Sequence, residues 1–229
     1  MTLSTREYVK ENDVNLKQAT TMAALAVTMT TACTPAADEP RQLQESEYKN
    51  NPAPQQRYEL TMEINNAPGP FKDISASAYY SAPNCYYYIP TLVPHDVSAW
   101  PRATQRIDLV QESDTQWKGI FYADAMLNQD DGSGKRTCHW KMDDTSSTVY
   151  FSASNAREDT LFTASLSEKD LHAEKTVILY YYKGAYLHKR KEDELFMPVD
   201  GTIDRSQFLP DTTDADLFTV TLSVRKLTS

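Results

Sequence analysis

The chain has 229 residues, with 23 Lys plus Arg against 32 Asp plus Glu and a formal net charge of -9. That length fits one principal domain with extensions. An acidic balance without a basic, aromatic-rich cluster excludes recognition of phosphate backbones, and it suits a basic protein partner.

In chain order, residues 22–33 come first, a small-to-apolar run that carries no charge and ends in Cys33. A bilayer span needs about 20 apolar residues, so this run is too short to cross and fits the apolar region of an export signal. Thr30-Thr31-Ala32 precede the cysteine as small residues do in bacterial lipoprotein signals, with Thr30 where such signals usually carry Leu. Residues 1–32 are therefore predicted to be a lipoprotein-type signal peptide, with lipidated Cys33 as the sole membrane attachment and the periplasm as the location. Residues 34–56 hold Pro35, Pro40, Pro52 and Pro54 among Ala, Asp, Glu, Gln and Asn. Such a composition cannot offset its ordering entropy, so 33–56 reads as a disordered tether to a β-rich domain over 57–229.

From Arg57 the texture alternates, with Tyr58, Leu60, Met62 and Ile64 on one side and Glu59, Thr61, Glu63 and Asn65 on the other. Period two predicts a half-buried strand, and Asn66-Ala67-Pro68-Gly69-Pro70 ends it. Further strands are expected at 74–80, 85–89, 106–110, 117–124 and 137–142, with shorter ones at 149–153 and 161–164. Residues 90–101 read as an ordered loop and 128–135 as a hairpin loop. Residues 166–175 read as one or two helical turns capped by Ser167. The β-branched and aromatic run 176–182 looks like a central strand. The charged block 189–194 reads as a solvated loop, and 217–224 closes with clean alternation. The fold class that follows is all-β, mainly antiparallel, a sandwich or barrel-like single domain with minor helix.

Three cysteines are present. With Cys33 acylated, Cys85 and Cys138 remain, and two readings stand: one disulfide, favoured in an exported domain, or two buried thiols. No chemistry-bearing motif closes. Gly132-Ser133-Gly134-Lys135-Arg136 lacks the first glycine of a phosphate loop and has Arg136 where magnesium needs a hydroxyl. His95, His139, His172 and His188 lie outside any hydrolase signature. Residues 200–204 and 211–216 lack calcium-loop spacing. No catalytic residue, metal or cofactor is expected. Tyr79-Tyr80, Tyr86-Tyr87-Tyr88 and Tyr180-Tyr181-Tyr182 put neighbouring rings on opposite strand faces, so some must meet solvent or a partner.

The signal with Cys33, the acidic Pro-bearing tether, the Cys85 and Cys138 pair and the β-rich body without catalytic motifs together resemble the periplasmic immunity lipoproteins of type VI secretion phospholipase effectors. The resemblance implies a protein that binds a lipase toxin one-to-one and blocks its active site or membrane access. Candidate contacts are Tyr86, Tyr87, Tyr88, Trp100, Asp130, Asp131, Glu192 and Asp193. Two other roles remain open on sequence, a structural or assembly lipoprotein of an envelope machine and a small periplasmic hydrolase.

Overall fold

The structure, a computed structural model, describes residues 43–89, 97–154, 159–189 and 197–228. The predicted signal peptide, Cys33, Glu192 and Asp193 lie outside the described residues, as does the side chain of Tyr88.

The strands in chain order are β1 (Arg57–Asn65), β2 (Asp73–Ser81), β3 (Tyr87–Ile89), β4 (Val97–Ala99), β5 (Arg102–Ile107), β6 (Leu109–Ser113) and β7 (Gln116–Tyr122). They continue as β8 (Gln129–Asp130), β9 (Thr137–Cys138), β10 (Lys141–Ser152), β11 (Phe162–Ser167), β12 (Val177–Tyr182), β13 (Val199–Asp200) and β14 (Leu217–Lys226). Two five-stranded sheets form the sandwich, one ordered β12-β14-β1-β7-β6 and the other β13-β11-β10-β2-β5. All pairings within them are antiparallel except β11 with β13. The all-β, sandwich-like expectation therefore holds. The helices are short: α1 (Glu168–His172) follows β11, with Ser167 and Asp170 forming its capping box, and α2 (Lys183–Leu187) follows β12.

Alternation explains the core. Tyr58, Leu60, Met62 and Ile64 of β1 are all buried, and Leu60, Met62 and Ile64 pair across the ladder with Val224, Leu222 and Val220 of β14. The facing sheet contributes Ala76, Ala78 and Tyr80 from β2, Val149 and Phe151 from β10, and Phe162, Ala164 and Leu166 from β11. One end of this core is aromatic: Phe71, Phe151, Phe162, Tyr181 and Phe218 lie with ring centroids 5.0 to 5.8 Å apart. The tyrosine pairs split as their periodicity requires. Tyr80 and Tyr181 are buried, donating to the carbonyls of Tyr122 and Thr163, both at 2.7 Å. Tyr79 points outward to share a 2.8 Å hydrogen bond with Tyr150, and burial together with that bond pushes its hydroxyl up to about 12.

On both flanks the chain steps from one sheet to the other. β5 ends its pairing with β2 at Ile107 and, after Asp108, continues as β6 on β7. On the other flank Val199 and Asp200 pair with β11, and after Gly201 the next residue, Thr202, exchanges backbone hydrogen bonds with Tyr180 of β12 at 2.8 and 3.2 Å. Each crossing requires a glycine. A Cβ on Gly119 would meet Ile107 Cγ2 at 2.5 Å, and one on Gly201 would meet the Tyr181 ring at 2.4 Å.

Three expectations are corrected. Residues 43–56 belong to the domain, not to a tether: Leu43 is buried, Asn50 bridges to Met126, and the Asn51 amide donates to the Ala125 carbonyl at 2.7 Å. A few well-placed contacts there outweigh the polar average. The run at β12 is an edge strand, with Ile178 and Tyr182 about half exposed on its outer face. Finally, the stretches expected around 141 and 150 are one bulged strand, β10, whose register on β2 shifts between Met142 and Ser147.

Candidate functional site

The most distinctive surface feature lies where β2 runs out. After Ser81 the chain makes a short turn, Pro83–Cys85, in which the Cys85 amide donates to the Ala82 carbonyl and the Ala82 amide to the Pro101 carbonyl, each at 3.0 Å. Cys85 is bonded to Cys138 with Cα atoms 5.4 Å apart, so the disulfide reading is the one the structure adopts. Asn84 fastens the same junction. Its side-chain amide donates to the Thr137 carbonyl at 2.7 Å, and its side-chain oxygen accepts from the His139 amide at 2.9 Å. Leu43 and Ala82 pack with the two cysteines, and Tyr48 and Trp140 cover them edge to face at 4.9 Å.

This anchored turn carries β3, which pairs with β4 so that Tyr87 faces Ala99. Trp100 follows directly. The result is a groove of about 590 Å³ lined by Glu45, Tyr48, Tyr87, Ala99, Trp100, Arg102 and Thr104. Arg102 lies over the Trp100 ring, 5.2 Å from its centroid, and 3.8 Å from Asp143. Burial, then the neighbouring Tyr87 and Glu45, hold the Tyr48 hydroxyl above its ordinary range. The Trp100 Nε1 is buried and has no acceptor among the described residues. Three aromatic walls with one acid and one base at the rim can grip a side chain or a ring by stacking and fix it with charge-assisted hydrogen bonds.

The hairpin β8–β9 adjoins the groove. Asp130 accepts from the Gly132 and Gly134 amides at 2.7 and 2.9 Å, and those glycines sit at φ of 87° and 70°. Asp131 is only 2% exposed and takes the Ser133 amide and hydroxyl and the Arg136 Nε. Arg136 also reaches the Tyr86 carbonyl at 3.3 Å, tying the loop to the groove's edge. Burial works against the Asp131 charge, but the Ser133 hydrogen bonds and the Arg136 guanidinium outweigh it and hold the carboxyl below its ordinary value. A carboxyl lowered on folding stabilises above its unfolded pKa, and that contribution is lost as pH falls through the lower folded value. Asp131→Asn is therefore expected to flatten the acid limb of stability against pH, read as the urea midpoint from neutral pH down to about pH 2.

Of the sequence candidates, the structure brings together Tyr87 and Trp100, places half-exposed Tyr86 beside them, and leaves Asp130 on the loop surface. Asp131 is corrected to an internal loop anchor, because its carboxylate is enclosed and already paired. Sequence reasoning missed Glu45 and Tyr48, which fell in the presumed tether, and Arg102 and Thr104. The spacing of Leu43 and Tyr48, apolar residues in a polar stretch, was the available signal. Among the described residues no group of three or more His, Cys, Asp or Glu is placed to hold a metal ion, and no helix is long and apolar enough to cross a membrane.

Compared with known proteins, the chain matches no family model, no curated protein and no solved structure. What fold and groove define is a class: a disulfide-bonded, mainly antiparallel β-sandwich with an aromatic groove at one end.

Proposed function

We propose that this is an envelope-tethered binding protein that docks another protein through the aromatic groove at its disulfide end. The more particular role is that of an immunity protein, which neutralises a lipase-class toxin in the periplasm by covering its active site or membrane-contacting surface. The observation that carries the binding role is the convergence of Tyr48, Tyr87 and Trp100 on one groove beside Glu45 and Arg102. Tyr, Trp and Arg are the residues most enriched among binding hot spots, and a rigid aromatic loses little entropy on docking. The disulfide and Asn84 hold the groove's base in place before any partner arrives. The net charge of -9 favours a basic partner and fast association. The immunity role rests on the layout of signal, lipidated Cys33 and β-rich body.

The test is co-expression with a phospholipase toxin encoded beside this gene. Wild-type chain restores growth and suppresses lipase turnover at a one-to-one ratio. Trp100→Ala or Tyr87→Ala is expected to weaken the complex by at least about 2 kcal/mol, some thirtyfold in Kd, with folding intact by circular dichroism. Protection that survives both substitutions sinks the groove assignment. A toxin left fully active in a saturating amount of wild-type chain sinks the immunity role.

A further inference from the structure

A second pocket, which shares no lining residue with the aromatic groove, forms where β12 ends. Residues 201–216 return along that strand and are fixed to it at two points. Thr202 exchanges its backbone hydrogen bonds with Tyr180, and the Lys183 Nζ donates to the Ala215 carbonyl at 2.8 Å. Between those points the chain makes short turns, Arg205–Gln207 capped by Asp204 and Asp214–Asp216 capped by Thr213 together with Asp216. The turns and the strand end enclose a pocket of about 500 Å³, walled by Tyr182, Phe208 and Leu209, with Asp211 and Asp216 in the same lining. The Tyr182 ring is seated against the start of α2, where a Cβ on Gly184 would collide with it. Even so, Tyr182 is 53% and Leu209 73% exposed, apolar surface gathered at one place as it is at binding sites.

We infer that this pocket binds an organic cation, an ammonium group on an aliphatic stem, with the rings against its carbon atoms and the carboxylates against its charge. The rings alone would suit any apolar group, and the charge makes the selection. No Lys, Arg or His lines the pocket among the described residues. Residues 197–216 carry five acids and one base, Arg205, which Asp214 takes up at 2.8 Å. Lys183 adds its charge near Asp216, and the acids still stand five to two. Asp211 makes no ion pair or side-chain hydrogen bond among the described residues. Asp216 accepts from the Thr213 amide at 2.9 Å and hydroxyl at 2.6 Å, bonds that hold its carboxyl below the ordinary value and both fall on Oδ2. Its Oδ1 is left to face a ligand. A ring attracts a cation through the negative face of its π system, and a carboxylate adds an attraction that a neutral ligand cannot use. A lysine side chain of a partner protein and a free quaternary ammonium present this chemistry alike.

The probes are choline, its uncharged isostere 3,3-dimethyl-1-butanol and Nα-acetyl-lysine methylamide, titrated into the full chain and followed through its amide resonances. The two cations are expected to move the signals of Tyr182 and residues 207–212, and the isostere to bind at least about tenfold more weakly than choline. Tyr182→Leu and Asp211→Asn, both at exposed positions, should each weaken choline by about tenfold while the remaining resonances keep their places. Tighter binding of the lysine probe assigns the pocket to a partner's side chain, and tighter binding of choline to a quaternary ammonium. The inference is overturned if neither cation moves these signals, if the isostere binds as well as choline, or if both variants bind choline as the wild type does. None of those failures touches the groove.

Discussion

Serine at Cys85, at Cys138 or at both is expected to lower the free energy of unfolding by about 4 kcal/mol. The two cysteines stand 53 residues apart in sequence, and closing a loop of that size removes that much conformational freedom from the unfolded chain in the entropy model. Reductant should impose the same loss on the wild type and none on the variants. Urea unfolding with and without reductant checks both, and a rise in the urea slope should accompany the loss as the unfolded chain expands. The two Asn84 hydrogen bonds retain part of the junction's geometry, so the variants should still fold. A loss under about 1 kcal/mol would mean that noncovalent contacts already restrain this loop in the unfolded ensemble.

Gly201→Ala is expected to cost about 3 kcal/mol, at the upper end for a single added methyl group in a packed interior. Its Cβ would lie 2.4 Å from both Cζ and Oη of Tyr181 and 2.8 Å from the Leu179 Cβ. The ring has little room to yield, since Tyr181 is 1% exposed and its hydroxyl donates to the Thr163 carbonyl at 2.7 Å. Burial, reinforced by Asp200, drives that hydroxyl's pKa well above its ordinary value, as expected for a group sealed away from water. Moving the ring would leave the Thr163 carbonyl short of a partner as well. Gly134→Ala supplies the contrast. Nothing lies within 4 Å of its Cβ, and the strain of φ +70° alone should cost about 1 kcal/mol. Combining Gly201→Ala with Tyr181→Leu should cost less than the sum of the two, because the second change removes the atoms the first collides with. Calorimetric melting of the four variants reads all of these differences.

Strand existence was legible wherever one face is buried and the other wet. β1 and β14 show it, since their alternation in sequence is their alternation in burial. The hairpin at 128–138 and the Ser167 cap were legible for a similar reason, being local chemistry that needs no distant partner. Strand order was not. The Val177–Tyr182 run has the composition of a central strand, yet nothing in its own residues says that, among the described residues, its outer side meets only a bridge from Thr202 and no further strand of the sheet. Continuity through β10 was hidden because Asp143, Asp144 and Thr145 sit in a bulge that breaks the hydrophobic pattern while the strand carries on. The groove was half legible. Tyr87 and Trp100 stood out by type, whereas Tyr48 reaches them from residues whose composition suggested no fixed place. Asp131 shows the reverse error. A polar loop reads as solvated, but an aspartate two residues before a serine and five before an arginine has partners within reach to enclose it.

The two flank crossings also bear on how the protein answers to force. A sandwich held only by its interior can be pried open like a book, one leaf swinging away while each keeps its own ladder. Here the backbone itself is the stitching along both spines, through Asp108 on one side and Gly201 on the other. Neither leaf can swing without tearing strand pairing in both, so tension applied between the two sheets meets resistance from covalent chain as well as from packed side chains.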